Sequence, residues 1–145
     1  MRFAQLILAS LFALSLNGCH GVAIAGPCSY NALVARMDRI DESHDKAASK
    51  ADQLGRVADS ATMCALDRYG ANFKEYSVIR ARADLRSGLQ FQKARDFEDA
   101  SSELGAAASE AEHFASDSGV DWQARADARH IARQARDALS ALPTR

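Results

Sequence analysis

Three acid–histidine pairs have the residue types and spacing that suit metal chemistry: Asp41 with His44, Glu110 with His113, and Asp127 with His130. In each pair the acid precedes the imidazole by three residues, which puts both on one face of a helix. Four-helix di-iron bundles use Glu-x-x-His for this reason, because carboxylate and imidazole then converge on a metal from one turn. Glu110-Ala111-Glu112-His113 is the literal form. Two arguments weigh against a metal. Acid–histidine pairs are common on charged helices, and Glu110, His113, Asp127 and His130 flank the apolar stripes of their helices rather than lying on them. Only His44 falls on an inner position, where a lone histidine is more often a hydrogen-bonded core residue than a ligand. Metal or small-ligand binding through these pairs is the alternative reading, and no cofactor is expected.

A second group of residues suits recognition. At about 100° per residue, Ala124, Ala128, Ile131, Ala135, Ala138 and Leu142 share one inner arc of the last helix. Arg125, Arg129, Arg133 and Arg136 fall in a separate arc, and Trp122, the chain's single tryptophan, points into it. Tryptophan and arginine are the types most enriched at binding hot spots, and guanidinium stacks well on indole. Trp122, Arg125, Arg129 and Arg133 are therefore the expected partner-binding residues. The competing account is internal. Residues 96–117 carry Asp96, Glu98, Asp99, Glu103, Glu110, Glu112 and Asp117 with no lysine or arginine, so the arginines can hold the last hairpin together.

Nucleic acid is not an expected partner, since the formal charge is −1 and Asp121, Asp127 and Asp137 dilute the arginine row. The chain has no phosphate loop, no nucleophile elbow and no zinc-protease helix. No enzymatic activity is expected.

The elements that must position these residues read as helices throughout. The 145 residues are 48% apolar and 26% charged, an ordinary globular mix for one domain. From Leu33 the small or apolar positions run Met37, Ile40, His44, Ala47, Ala51, Leu54, Ala58, Ala61 and Ala65, alternating three and four with His44 the only polar intruder. Taken literally this is one long helix, which would hold Cys28 and Cys64 roughly 54 Å apart. A disulfide needs Cα atoms within about 4.4–6.8 Å. If Cys28 and Cys64 are bridged, the helix folds back near residue 46, with Ser43-His44-Asp45-Lys46 as the turn and Ser49-Lys50-Ala51-Asp52 as a capping box. The alternative is two unrelated buried thiols.

Later boundaries follow from punctuation. Arg68-Tyr69-Gly70 reads as a helix stop and Asn72-Phe73-Lys74-Glu75 as a new start running to about Lys93. A tight turn at Ala94-Arg95-Asp96 leads to a helix with inner face Phe97, Ala100, Leu104, Ala107, Ala111 and Phe114. Ser118-Gly119-Val120-Asp121 caps the last helix, which Pro143 stops at about Leu142. The predicted fold is all-α, with four to five antiparallel helices in a bundle or a short repeat-like array.

The N-terminus reads as an address. Met1-Arg2 precedes an apolar run, Phe3 to Leu16, that is too short to span a membrane at about 20 residues. Ala23-Ile24-Ala25 before Gly26 fits signal peptidase, giving a secretory signal at 1–25 and a helical domain at 26–145. Leu16-Asn17-Gly18-Cys19 resembles a bacterial lipobox, which gives the alternative of a lipoprotein signal at 1–18 with lipidation at Cys19. Either cut leaves Cys28 and Cys64 as an even pair, consistent with an oxidising compartment.

Gly88, Phe91, Asp96-Phe97-Glu98-Asp99-Ala100 and Ala107 resemble one tetratricopeptide repeat over roughly residues 82–115. Asp84 and Ser87 stand where that family carries its early Trp and Leu, and Arg95 where it carries the turn glycine. Leu54-Gly55 with Ala58 and Ala61, and Leu104-Gly105 with Ala108 and Ala111, suggest a duplicated second helix. The resemblance implies a helical scaffold that binds a peptide or protein and performs no chemistry. The expected function is an exported, periplasmic or outer-membrane-anchored interaction module whose partner is another envelope protein or peptide. A membrane is contacted only if Cys19 is lipidated.

Overall fold

The computed structural model describes residues 28–67 and 73–143. The chain forms five helices, α1 (Tyr30–Glu42), α2 (Ala47–Asp67), α3 (Phe73–Ala94), α4 (Phe97–Ser116) and α5 (Trp122–Ser140). The described residues contain no strand.

Local chemistry sets most boundaries. The Ser29 hydroxyl accepts from the Ala32 N–H at 3.1 Å and starts α1. The Ser43 hydroxyl donates to Ile40 O at 2.9 Å and closes it. The long three-four stripe breaks at residues 43–46, where the bridged-cysteine reading requires it. The capping box expected at Ser49 does not form, because α2 begins at Ala47 with Lys46 O accepting from the Lys50 N–H at 3.0 Å. Ser49 Oγ instead accepts from Gln53 Nε2 at 3.2 Å. The stop at Arg68-Tyr69-Gly70 and the cap at Asn72 lie outside the described residues.

The turn between α3 and α4 takes two residues. Asp96 N–H donates to Phe91 O at 3.0 Å and Arg95 N–H donates to Gln92 O at 3.1 Å, the Schellman pattern that satisfies terminal carbonyls. It requires a left-handed residue, and Arg95 supplies it with φ 63°. Asp96 then accepts from the Asp99 N–H at 3.3 Å, so the residue that ends one helix caps the next. After α4, Asp117 Oδ1 accepts from the Gly119 N–H at 2.8 Å, and Asp121 caps α5 by accepting from the Gln123 N–H. Helix α5 ends at Ser140, just ahead of Pro143.

Consecutive helices pack as neighbours, and α3 touches all four others. Helix α1 packs on α2 and α3, and α5 packs on α4 and α3, while α2 and α4 do not meet among the described residues. Two cores result. Leu33, Met37, Ile40, Leu54, Val57, Ala61, Tyr76, Ile79 and Ala83 form one. Val78, Ala81, Leu85, Leu104, Ala107, Phe114, Ile131 and Ala135 belong to the other. Most predicted inner residues are buried, with two corrections. His44 is exposed because it lies in the α1–α2 turn, and Phe97 is 38% exposed because it opens α4 before the helices close on one another.

The disulfide Cys28–Cys64, with Cα atoms 5.4 Å apart, ties the start of α1 to the end of α2. Tyr76 Oη donates to Cys28 O at 2.9 Å and brings α3 to the same end. For a closed loop of 36 residues, removing the bridge with Cys28→Ser and Cys64→Ser should cost about 3–4 kcal/mol in urea unfolding.

Helices α3 and α4 approach closely at Gly88. A methyl there would sit 2.7 Å from Leu104 Cγ and 3.1 Å from the Leu104 backbone nitrogen, whereas one on Gly105 would meet nothing within 4 Å. Gly88→Ala should therefore destabilise by about 1–3 kcal/mol through overpacking. Gly105→Ala should stabilise by about 0.5–1 kcal/mol through helix propensity. Opposite shifts of the urea midpoint would verify the pair.

Candidate functional site

Helix α5 buries Ala128, Ile131, Ala132 and Ala135 and turns Arg129, Arg133 and Arg136 outward. Trp122, the first residue of the helix, is 72% exposed, and Arg129, Arg133 and Arg136 are exposed beyond it. Arg125 is half-buried, its Nε enclosed without a hydrogen-bond acceptor among the described residues. The inner arc read from the sequence is largely buried, and of the four residues expected to meet a partner Trp122, Arg129 and Arg133 are exposed while Arg125 is not.

The internal pairing expected for these arginines exists only in part. Arg136 Nη2 pairs with Glu112 Oε1 of α4. Arg129 and Arg133 form no ion pair among the described residues. They line, with Arg136, a shallow groove of about 460 Å³ between α4 and α5. Glu112 and Ser116 line it from α4, and Ala115 and Ala132 supply its small apolar part.

The acid–histidine pairs are distributed differently. His44 lies in the α1–α2 turn, Glu110 and His113 on α4, and Asp127 and His130 on α5, with all three histidines exposed. Asp41 Oδ2 is engaged by Arg86 Nη1 at 2.9 Å, and Arg86 also binds Asp38 Oδ1 at 2.9 Å. Glu110 Oε2 lies 3.2 Å from Arg80 Nε. Among the described residues no three histidine, cysteine or acidic side chains are grouped so as to hold a metal.

A feature that patterning missed is the polar seam of α3. Asp84 is only 5% exposed, with its carboxylate 3.8 Å from Arg80 Nε one turn earlier. Burial is the main cause that raises its pKa from 3.8 to about 7; Glu103, Glu110 and Asp59 push the same way and Arg80 opposes them. Burial also raises Glu103 and Glu110, both of which Arg80 draws back down. Close by, the Ser87 hydroxyl donates to Ala51 O at 3.1 Å. The available signal was the Arg80–Asp84 pair at helical spacing, flanked by Ala81, Ala83 and Leu85.

Between about pH 4 and 7 the folded state therefore holds a proton on Asp84 that the unfolded chain releases. Stability from this group is complete below about pH 3.8 and is lost as pH rises through about 7. The full swing is at most about 4 kcal/mol at roughly 1.4 kcal/mol per pKa unit. Asp84→Asn should be more stabilising at about pH 8 than at about pH 5, because the amide carries no charge to desolvate. Urea unfolding of both proteins across that range checks the sign.

The chain matches no protein-family model, and neither a curated protein nor a solved structure shows significant similarity to it.

Proposed function

We propose that the protein is a non-enzymatic helical interaction module of the bacterial envelope and that it captures another envelope protein or peptide through α5. The observation that carries this reading is the exposed Trp122 beside Arg129 and Arg133, two guanidinium groups with no internal ion pair among the described residues. Burial of a large indole against a partner and pairing of desolvated guanidinium groups are the commonest sources of interface energy. The half-buried Arg125 extends the surface on one side.

The leader-like N-terminus and the Cys28–Cys64 bridge support an exported location, since disulfides persist in oxidising compartments. Under this reading the domain is periplasmic after cleavage before Gly26, or anchored at the outer membrane if Cys19 is lipidated. The helical hairpin of α3 and α4 supports a scaffold of the kind that the tetratricopeptide resemblance implies.

The double replacement Trp122→Ala, Arg129→Ala should leave helix content by circular dichroism unchanged, because both side chains are exposed. Capture of a partner from a native envelope extract should weaken by about 30-fold or more, the effect of losing about 2 kcal/mol at a hot spot. A collapse of helix content would mean that these residues hold the fold, and unchanged capture would remove α5 as the contact surface.

A further inference from the structure

We infer that the segment seated on α5 is an extended acidic peptide that also carries an aromatic side chain, an inference resting on the interaction reading above. At about 100° per residue, Trp122, Arg129 and Arg133 lie within about 40° of one another around the helix. They form a single line along it. Trp122 and Arg133 are separated by roughly 16 Å of helix, which about five extended residues cover. A strand laid along this line meets the indole first, a guanidinium about three residues later, and a second about two residues after that.

The chemistry of the groove sets the charge of the occupant. Arg129, Arg133 and Arg136 share it with one carboxylate, Glu112, which Arg136 already engages. Guanidinium groups pair best with carboxylates, by two parallel hydrogen bonds. The acidic side chains are not supplied by residues 1–27, which contain no aspartate or glutamate.

The shape of the surface favours a strand over a broad anionic surface. The line of Trp122, Arg129 and Arg133 is narrow, and the exposed Asp121 and Asp137 flank it on the same helix. A flat membrane of acidic lipids would press these carboxylates against its own charge, whereas a single strand can pass between them. Trp122 supplies the aromatic contact, its exposed face able to stack on a ring at the end of the line.

Because Trp122 is the only tryptophan, its emission reports binding directly in the full oxidised chain. The probe is a set of hexapeptides holding one phenylalanine and two glutamates in every arrangement on a serine background. A matched set has glutamine for glutamate. At least one glutamate peptide should shift Trp122 emission saturably and bind more weakly as salt rises. Its glutamine counterpart should bind about tenfold or more weakly, and Arg129→Gln combined with Arg133→Gln should reproduce that loss against the unmodified peptide. Equal binding of the two sets, or no shift with any peptide, overturns the proposal. A shift seen only with phosphatidylglycerol vesicles overturns it in favour of a membrane. If every peptide fails while the Trp122/Arg129 double replacement still weakens partner capture, the acidic-peptide inference falls and the interaction reading survives. Capture insensitive to that replacement removes both.

Discussion

Helix α3 must fill two cores at once, and the rest of the structure depends on that constraint. Tyr76, Ile79 and Ala83 serve the core shared with α1 and α2, while Val78, Ala81 and Leu85 serve the core shared with α4 and α5. At 3.6 residues per turn these sets lie on opposite sides of the helix. The arrangement answers a shortage of apolar area. Many buried positions are alanine, and each removes little surface from water. A central helix buried on both sides recovers some of that deficit, and Gly88 lets α4 come closer still, against Leu104.

The cost of using both faces appears on the edges between them. One edge carries Arg80 and Asp84, close enough to α2 and α4 that Asp59, Glu103 and Glu110 act on the buried carboxylate. The other carries Arg86, which reaches Asp38 and Asp41 of α1. These edges differ in quality. Arg86 has two carboxylates at hydrogen-bond distance, whereas Asp84 has one guanidinium at 3.8 Å, shared with Glu110. Hence the edge with Arg80 and Asp84 is the pH-sensitive one.

The short α1 buries Leu33, Met37 and Ile40 and is tied at both ends as well. The disulfide and Tyr76 fix its beginning, and Lys50 Nζ donates to Asp41 O at 2.7 Å near its end. At the opposite side of the molecule α5 needs less help. It docks a continuous alanine and isoleucine face and leaves Arg129 and Arg133 toward solvent, with Arg136 drawn back to Glu112 of α4. A helix so placed can meet a partner without disturbing the core.

Much of this was written in the residues themselves. The three-four spacing fixed the helical class, and the cysteine pair, if bridged, demanded a reversal near residue 46 that no glycine or proline announces. On α5 the phase of alanine and isoleucine was enough to put Trp122, Arg129, Arg133 and Arg136 outside, because a helix with one apolar face has one way to dock; the half-burial of Arg125 was not legible in it. Periodicity misplaced His44 and Phe97, since it continues across a turn and into a first helical turn that stays partly exposed. Only the tertiary structure decided which charges cancel. Arg136 meets Glu112 and Arg80 meets Glu110, while Asp84 is driven into a seam between three helices. Such pairings depend on how helices are turned and spaced against one another, and one-dimensional spacing carries no record of that distance.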